Sequence, residues 1–331
     1  MTKIEGKRIL MFYPYGATKH YGDAIKAELE KRGARICAYD ERPSQSSCMK
    51  IAIRLLKKKL PYLFLSYINV IIRNNREKDF DYILVCRGEA FTPLVVERLR
   101  KAFPKAKMIL YLWDILRTTN VREIIPCFDK ALSFDPDDVA SNSKLIFRPT
   151  FFVPQYAEIE QSDVHHYDVM FVGTLHSNRY KIIRNFMSVF EGMGLSFYVY
   201  LYVPSRIVYI KDWIRKFPYI KVSNVRFTPI TMLDTVKVLL ETKAVLDINY
   251  TSQKSLSMRA FEALAAQRKY ITTNPEIRHY DFYDERNILV IDLEHPIIPK
   301  SFIESPFCPV NDSILYKYSV SGLVDDLFDN L

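Results

Sequence analysis

Glycine is scarce, with nine in 331 residues and no GxGxxG or Walker A pattern among them. That scarcity removes the glycine-rich loops through which dinucleotides and ATP are usually held. The five cysteines (Cys37, Cys48, Cys86, Cys127, Cys308) are odd in number, far apart and form no CxxC pair. This spacing excludes a disulfide framework and a zinc knuckle, and it predicts reduced, mostly buried thiols. No apolar run reaches the roughly 20 residues a bilayer span needs. The longest, over 60–72, is interrupted by Pro61 and Asn69. Residues 1–8 are polar and lead straight into an apolar stretch, without the features of a secretory leader, so a cytoplasmic protein is expected. Internal repeats and low-complexity runs are missing too.

What is present is an ordinary globular composition, 49% hydrophobic and 26% charged, in a chain longer than one hydrophobic core usually serves. Two domains are expected, meeting near the polar stretch 155–164 that follows Pro154: residues 1–155, residues 156–312, and a closing helical segment 313–331 that returns to the first. The formal charge of +9 is concentrated: over 42–78 there are nine basic residues and one acid, Glu77. Apolar residues flank the Lys57-Lys58-Lys59 run there, the pattern of an amphipathic segment that lies on an anionic membrane surface, or of a solvated helix face over a core. No recognition motif for nucleic acid accompanies the charge.

Apolar periodicity alternates between strand and helix. Strands are expected over 7–13, 34–39, 82–86, 107–113, 130–134 and 145–147, with helices over 23–32 and 93–103. A second series restarts with strands over 168–172, 196–203, 225–227, 244–248 and 269–272 and helices over 179–191, 208–217, 232–242 and 256–266. Such alternation predicts two α/β domains, each with a parallel, doubly wound sheet.

In such sheets ligands bind beyond the carboxyl ends of the strands, where helix N-termini offer amides to anions. The residues in that position are Gly16 and His20, Gly88 and Glu89, Trp113 and Asp114 in the first half. In the second half they are Gly173, Thr174, His176 and Arg179, then Ser205 and Arg206, then Thr228 and Pro229, then Tyr250, Lys254 and Ser255. Gly173 is either a turn glycine or a point where backbone approaches a phosphate. The stretch Ser255-Leu-Ser257-Met-Arg259-Ala-Phe-Glu262-Ala-Leu-Ala265 is the most specific signal. Ser255 or Ser257 would cap a helix whose first-turn amides hold a diphosphate, and Arg259 and Glu262 share a face, as a surface ion pair or as a nucleotide site. Asp135 before Pro136 reads as a helix N-cap rather than a metal ligand, His165-His166 as solvated linker residues, and no metal or cofactor is expected.

Asp168-Val-Met-Phe-Val-Gly173-Thr174, the Ser257–Ala265 stretch and Lys269-Tyr-Ile-Thr-Thr-Asn274 resemble the second domain of GT-B glycosyltransferases. The resemblance is to lipopolysaccharide and capsular-polysaccharide biosynthesis proteins of the CgeB-like type. Arg87-Gly88-Glu89, Tyr111-Leu-Trp113-Asp114 and Phe128-Asp-Lys-Ala-Leu-Ser-Phe-Asp135 extend it to the first half. It implies two Rossmann-like domains facing a cleft, a nucleotide-sugar donor held by the second, a glycan or glycolipid acceptor at the first, and Glu262 on the ribose. Many retaining members carry another glutamate eight positions earlier, where Lys254 stands here; a noncatalytic binding subunit and a sugar-nucleotide epimerase are the alternatives. Displacement at the anomeric carbon needs a base near the acceptor hydroxyl, and Asp114 comes first for that role, before Glu89 and His20.

Overall fold

The computed structural model describes every residue except 1–3, 60, 160–163, 176–178, 204–205, 207–208, 211–224, 250–252 and 330. The chain divides into two compact units, Met1–Thr150 with Lys317–Leu331, and Phe151–Tyr316.

The first unit holds β1 (Arg8–Tyr13), β2 (Arg35–Asp40), β3 (Tyr82–Cys86), β4 (Lys107–Leu112), β5 (Lys130–Ser133) and β6 (Leu145–Phe147). They form one parallel sheet in the order β2-β1-β3-β4-β5-β6. The central strands read as unbroken apolar runs because helices cover both faces, and Ile9 to Phe12, Ile83 to Cys86 and Met108 to Leu112 are all buried. The helix Lys19–Lys31 starts four residues before the periodicity suggests, since Thr18 at its N-cap makes no side-chain bond that would mark the start. It crosses the end of β1 closely, and Gly22 permits this: a Cβ there would lie 2.0 Å from the Tyr13 ring. Thr92 caps the helix Pro93–Ala102 by accepting from the Val95 N–H, with proline in its first turn.

The basic segment folds into the helices Ser47–Leu56 and Pro61–Asn75. Two of its cations are not on the surface. Lys57 is buried, its Nζ donating to the carbonyls of Glu89 (3.0 Å) and Asn120 (2.8 Å), and Arg42 is buried on Glu89.

The closing segment is two helices, Asp312–Tyr318 and Val320–Phe328. They are separated at Ser319, whose backbone is extended and whose hydroxyl accepts from the Gly322 N–H. The second packs Val320, Leu323, Val324, Leu327 and Phe328 into the first unit, with Phe328 edge-on to Tyr82 at 5.0 Å. Arg32 bonds Asp325 (2.6 Å), and buried Arg148 reaches Asp326 (2.6 Å) and the Lys317 carbonyl (2.6 Å).

The second unit holds β7 (Tyr167–Thr174), β8 (Phe197–Tyr202), β9 (Val225–Arg226), β10 (Thr242–Asp247), β11 (Lys269–Thr272) and β12 (Ile288–Val290). They are again all parallel, in the order β12-β11-β10-β7-β8-β9. Its helices include Arg179–Gly192, Met232–Leu240 and Met258–Ala265. Most of the helix expected over 208–217 lies outside the described residues. The chain thus has two doubly wound α/β units, the second spliced into the first.

Candidate functional site

A doubly wound sheet opens a crevice where neighbouring strands send their connections to opposite sides, and ligands bind there beyond the carboxyl ends. In the second unit β7 leads on to β8 on one side, while its other neighbour, β10, leads to β11 on the opposite side. The residues at that point are Gly173 and Thr174 from β7, Asp247 and Ile248 from β10, and the start of the helix Met258–Ala265.

Gly173 and Thr174 belong to β7 itself, paired with Leu201 and Tyr202, rather than to a loop after it. Gly173 is needed by packing: a Cβ would meet the Phe171 ring at 2.9 Å and Arg179 Nη1 at 3.3 Å. Arg179 spans the crevice, donating to the carbonyls of Thr174 (3.2 Å) and Ile248 (3.1 Å), with its guanidinium 5.8 Å over the Phe171 ring. One cation therefore ties the ends of both strands together.

Ser257 is the helix N-cap in extended backbone, but it does not cap with its side chain. Its hydroxyl donates to Asp247 Oδ2 at 2.8 Å, and the Tyr270 hydroxyl donates to the same oxygen at 2.7 Å. Ser255 is buried and accepts from Gln253 at 2.9 Å, while the Asn274 amide donates to the carbonyls of Lys254 (3.2 Å) and Ser255 (3.3 Å). The approach to the helix is thus fixed by Asp247 and Asn274, and the first-turn amides receive no bond from the Ser257 hydroxyl, although the Ala260 N–H donates to its carbonyl at 3.1 Å.

Arg259 and Glu262 do form an ion pair, Nη1 to Oε2 at 2.7 Å, but not on an open surface, because Glu262 is 2% exposed. Tyr156, from the short helix Pro154–Ala157, donates to Glu262 and accepts from Arg259. Burial first, then the Glu262 charge, raises the pKa of that phenol well above its ordinary value. Glu262 is therefore held in a polar setting, by its ion pair with Arg259 and by Tyr156.

The other expected residues of this unit are spread out. Arg206 is exposed with its guanidinium 5.5 Å over the Phe227 ring, the Thr228 carbonyl accepts from Tyr200 at 2.8 Å, and Pro229 is exposed after β9. Lys254 is exposed. His176, Ser205 and Tyr250 lie outside the described residues.

In the first unit the corresponding point lies between β1 and β3. Arg87 and Gly88, just after β3, both adopt positive φ (76° and 70°), which a non-glycine residue takes only at a cost. The turn brings charges together. Arg87 Nε lies 2.6 Å from Asp114 and its Nη2 3.1 Å from Glu89 Oε2; Arg42 Nη2 lies 2.5 Å from the same oxygen, and Arg54 Nε 3.5 Å from Oε1. Burial opposes ionisation of Glu89, but Arg87, Arg42 and Arg54 outweigh it and hold the carboxyl below its usual range. A carboxylate so satisfied is a poor base. Asp114 differs: it is 42% exposed, and desolvation with repulsion from Glu89 raises its pKa against the pull of Arg87. His20 stands apart in the first turn of Lys19–Lys31, its ring 3.9 Å from that of Tyr21. Asp135 caps the helix Pro136–Ala140, accepting from the N–H groups of Asp137 and Asp138. Among the described residues no group of three or more His, Cys, Asp or Glu side chains is placed to hold a metal.

Sequence reasoning missed Glu41, Tyr156 and Asp247. Asp247 alone carried a signal, an acid at the carboxyl end of an apolar strand; the partners of the other two lie far along the chain.

No protein family and no curated protein matches the sequence. Solved structures do share the fold. The lipopolysaccharide outer core galactosyltransferase WaaB is 12% identical with a TM-score of 0.55, over 98% of this chain and all of its own. Anabaena Alr3699/HepE, solved with UDP and glucose, is 11% identical with a TM-score of 0.57 over the whole of both chains. The UDP-GlcNAc 2-epimerase of Methanocaldococcus jannaschii is 11% identical with a TM-score of 0.51, over 97% of this chain and 99% of its own. The chain shares the two-domain GT-B fold of these structures.

Proposed function

We propose that this protein is a metal-independent glycosyltransferase that moves a sugar from a nucleotide-sugar donor to a glycan or lipid-linked glycan in bacterial surface-polysaccharide synthesis, of lipopolysaccharide or capsule. The observation that carries the reading is the helix start at Ser257. A residue in ideal position to cap gives its hydroxyl to Asp247 instead, beside a strand pair bridged by Arg179. A helix start that its cap's side chain leaves unbonded, with Arg259 the second residue of the helix, suits a diphosphate. Glu262 is assigned to the ribose, with Arg259 and Tyr156 holding its carboxylate in one orientation.

In the transfer, the acceptor oxygen bonds to the anomeric carbon as the bond to the diphosphate breaks. Asp114 takes the hydroxyl proton, and Arg259 with the helix amides stabilises the charge on the departing nucleoside diphosphate. A thermal-shift titration with UDP tests the donor side. Saturation at about 100 times Kd stabilises the folded state by about 2.7 kcal/mol. Arg259→Ala and Glu262→Gln should lose most of that shift, and an equal shift in both would remove the site.

A peripheral contact with the inner face of an anionic membrane is assigned to the basic helices. On Pro61–Asn75, Tyr62 (80% exposed), Leu63, Val70 and Arg73 fall on one side at about 100° per residue, opposite buried Phe64, Ile68, Ile71 and Ile72. No helix among the described residues is long and apolar enough to cross a membrane. Sedimentation with phosphatidylglycerol vesicles but not phosphatidylcholine vesicles is the expected result, and equal recovery with both would count against it. The shared fold of the 2-epimerase favours one second reading, conversion of the sugar on its nucleotide without an acceptor. Product formation from UDP-GlcNAc alone would establish it.

A further inference from the structure

Glu41, the residue after β2, has a carboxyl with no exposed surface (0%). Its Oε2 accepts the Glu89 N–H at 3.0 Å. Among the described residues its Oε1 has no hydrogen-bond partner, and neither has the buried Nε of Arg42, 3.8 Å away. A buried carboxylate left half-satisfied is expensive, and folded proteins keep such groups where a proton or a charge has work to do.

We propose that Glu41 is a positioning residue: by gaining or losing its proton it changes how Arg87 divides its charge between Glu89 and Asp114, and so sets the pH at which Asp114 accepts a proton. This rests on the reading of Asp114 as the base. The groups facing Glu41 are Arg42 on its own loop, and Cys86, Arg87 and Glu89 at the end of β3. Burial pushes its carboxyl up to about 7, against the attraction of Arg87 and Arg42. Arg87 is the shared element, since it faces Glu41 and also touches Asp114 (2.6 Å) and Glu89 (3.1 Å). With Glu41 neutral, Arg87 is committed to those two, and its charge favours the ionised form of Asp114, making it a weaker base. With Glu41 ionised, Arg87 is drawn three ways and a further negative charge enters the cluster, so Asp114 binds a proton more tightly. Lys57, anchored on the Glu89 carbonyl, and Arg54, 66% exposed at the open end, keep the cluster cationic in either state.

The test is a carboxyl 13C NMR titration of the full-length protein. The Asp114 carbon should show its own inflection and a second step near pH 7 that coincides with the Glu41 inflection. In Glu41→Gln that second step should vanish. A single-step Asp114 curve in the unmodified protein, or the same two steps in Glu41→Gln, would overturn the proposal. Hydrolysis of UDP-glucose by Asp114→Asn separates the two ideas. Unchanged hydrolysis with the NMR coupling present would refute the base assignment and leave the coupling standing.

Discussion

Leu327 sits at 0% exposure in the last helix of the chain, between Asp325, which pairs with Arg32, and Phe328, which packs on Tyr82. If this returning helix is part of the first unit's core, Leu327→Ala must leave a cavity there. Truncating a fully buried leucine costs about 2 to 5 kcal/mol, with the spread set by how far the site collapses. Against a total of roughly 5 to 15 kcal/mol for a typical domain, that is a large fraction. With a urea dependence of about 2 kcal/mol per molar, the midpoint should fall by about 1 to 2.5 M. Two units need not unfold together, so the reporter has to belong to the first. Of the two tryptophans, Trp113 lies buried at the end of β4, and replacing Trp213 with phenylalanine makes it the sole tryptophan, excited selectively at wavelengths beyond tyrosine absorption. Leu233→Ala, at a 59% exposed leucine in the second unit, is the control and should change little. A Trp113 transition that moves by less than about 0.5 kcal/mol in Leu327→Ala would refute the assignment of this helix to the core.

Two further outcomes follow from buried contacts. Glu41 has a raised carboxyl pKa in the folded state, so its contribution to stability is full below the ordinary value of 4.5 and is lost as pH rises to about 7. Over that interval the loss is about 3 kcal/mol at 1.36 kcal/mol per pH unit. Glu41→Gln should therefore melt higher than the unmodified protein at pH 8 and show a flatter pH dependence; a lower melting temperature at pH 8 would contradict the burial argument. Gly173→Ala drives a methyl against the Phe171 ring and Arg179, and is expected to destabilise the second unit by about 1 to 3 kcal/mol and to weaken UDP binding through Arg179. Wild-type stability in that variant would show that the ring yields.

Every strand but β12 was legible, because parallel strands covered on two faces must be apolar throughout and runs such as Ile83-Leu84-Val85-Cys86 have no other stable place, whereas the three-residue Ile288–Val290 at the sheet edge is too short to show a pattern. A cap was legible where the side chain bonds its own helix, as at Asp135. Ser257 misleads for the same reason: its local sequence announces a cap, while a bond to Asp247, ten residues earlier on another element, redirects the hydroxyl. The spacing of Arg259 and Glu262 predicts their pairing, but their burial depends on Tyr156, about a hundred residues away in sequence. Lys57 shows the limit of charge counting, since one lysine of a run of three turns inward to hold two carbonyls. Strand ends were misplaced where the residue that ends the apolar pattern, such as Gly173, still pairs with its neighbour.

The first unit is interrupted after Thr150 and resumes only at Lys317. During synthesis its closing helix leaves the ribosome only after the whole of the second unit. The continuous second unit has all of its strands available earlier and is free to close on its own. Until that helix emerges, the surface that awaits Leu323 and Leu327 stands open to water, and a nascent chain stalled before it would present that surface to chaperones.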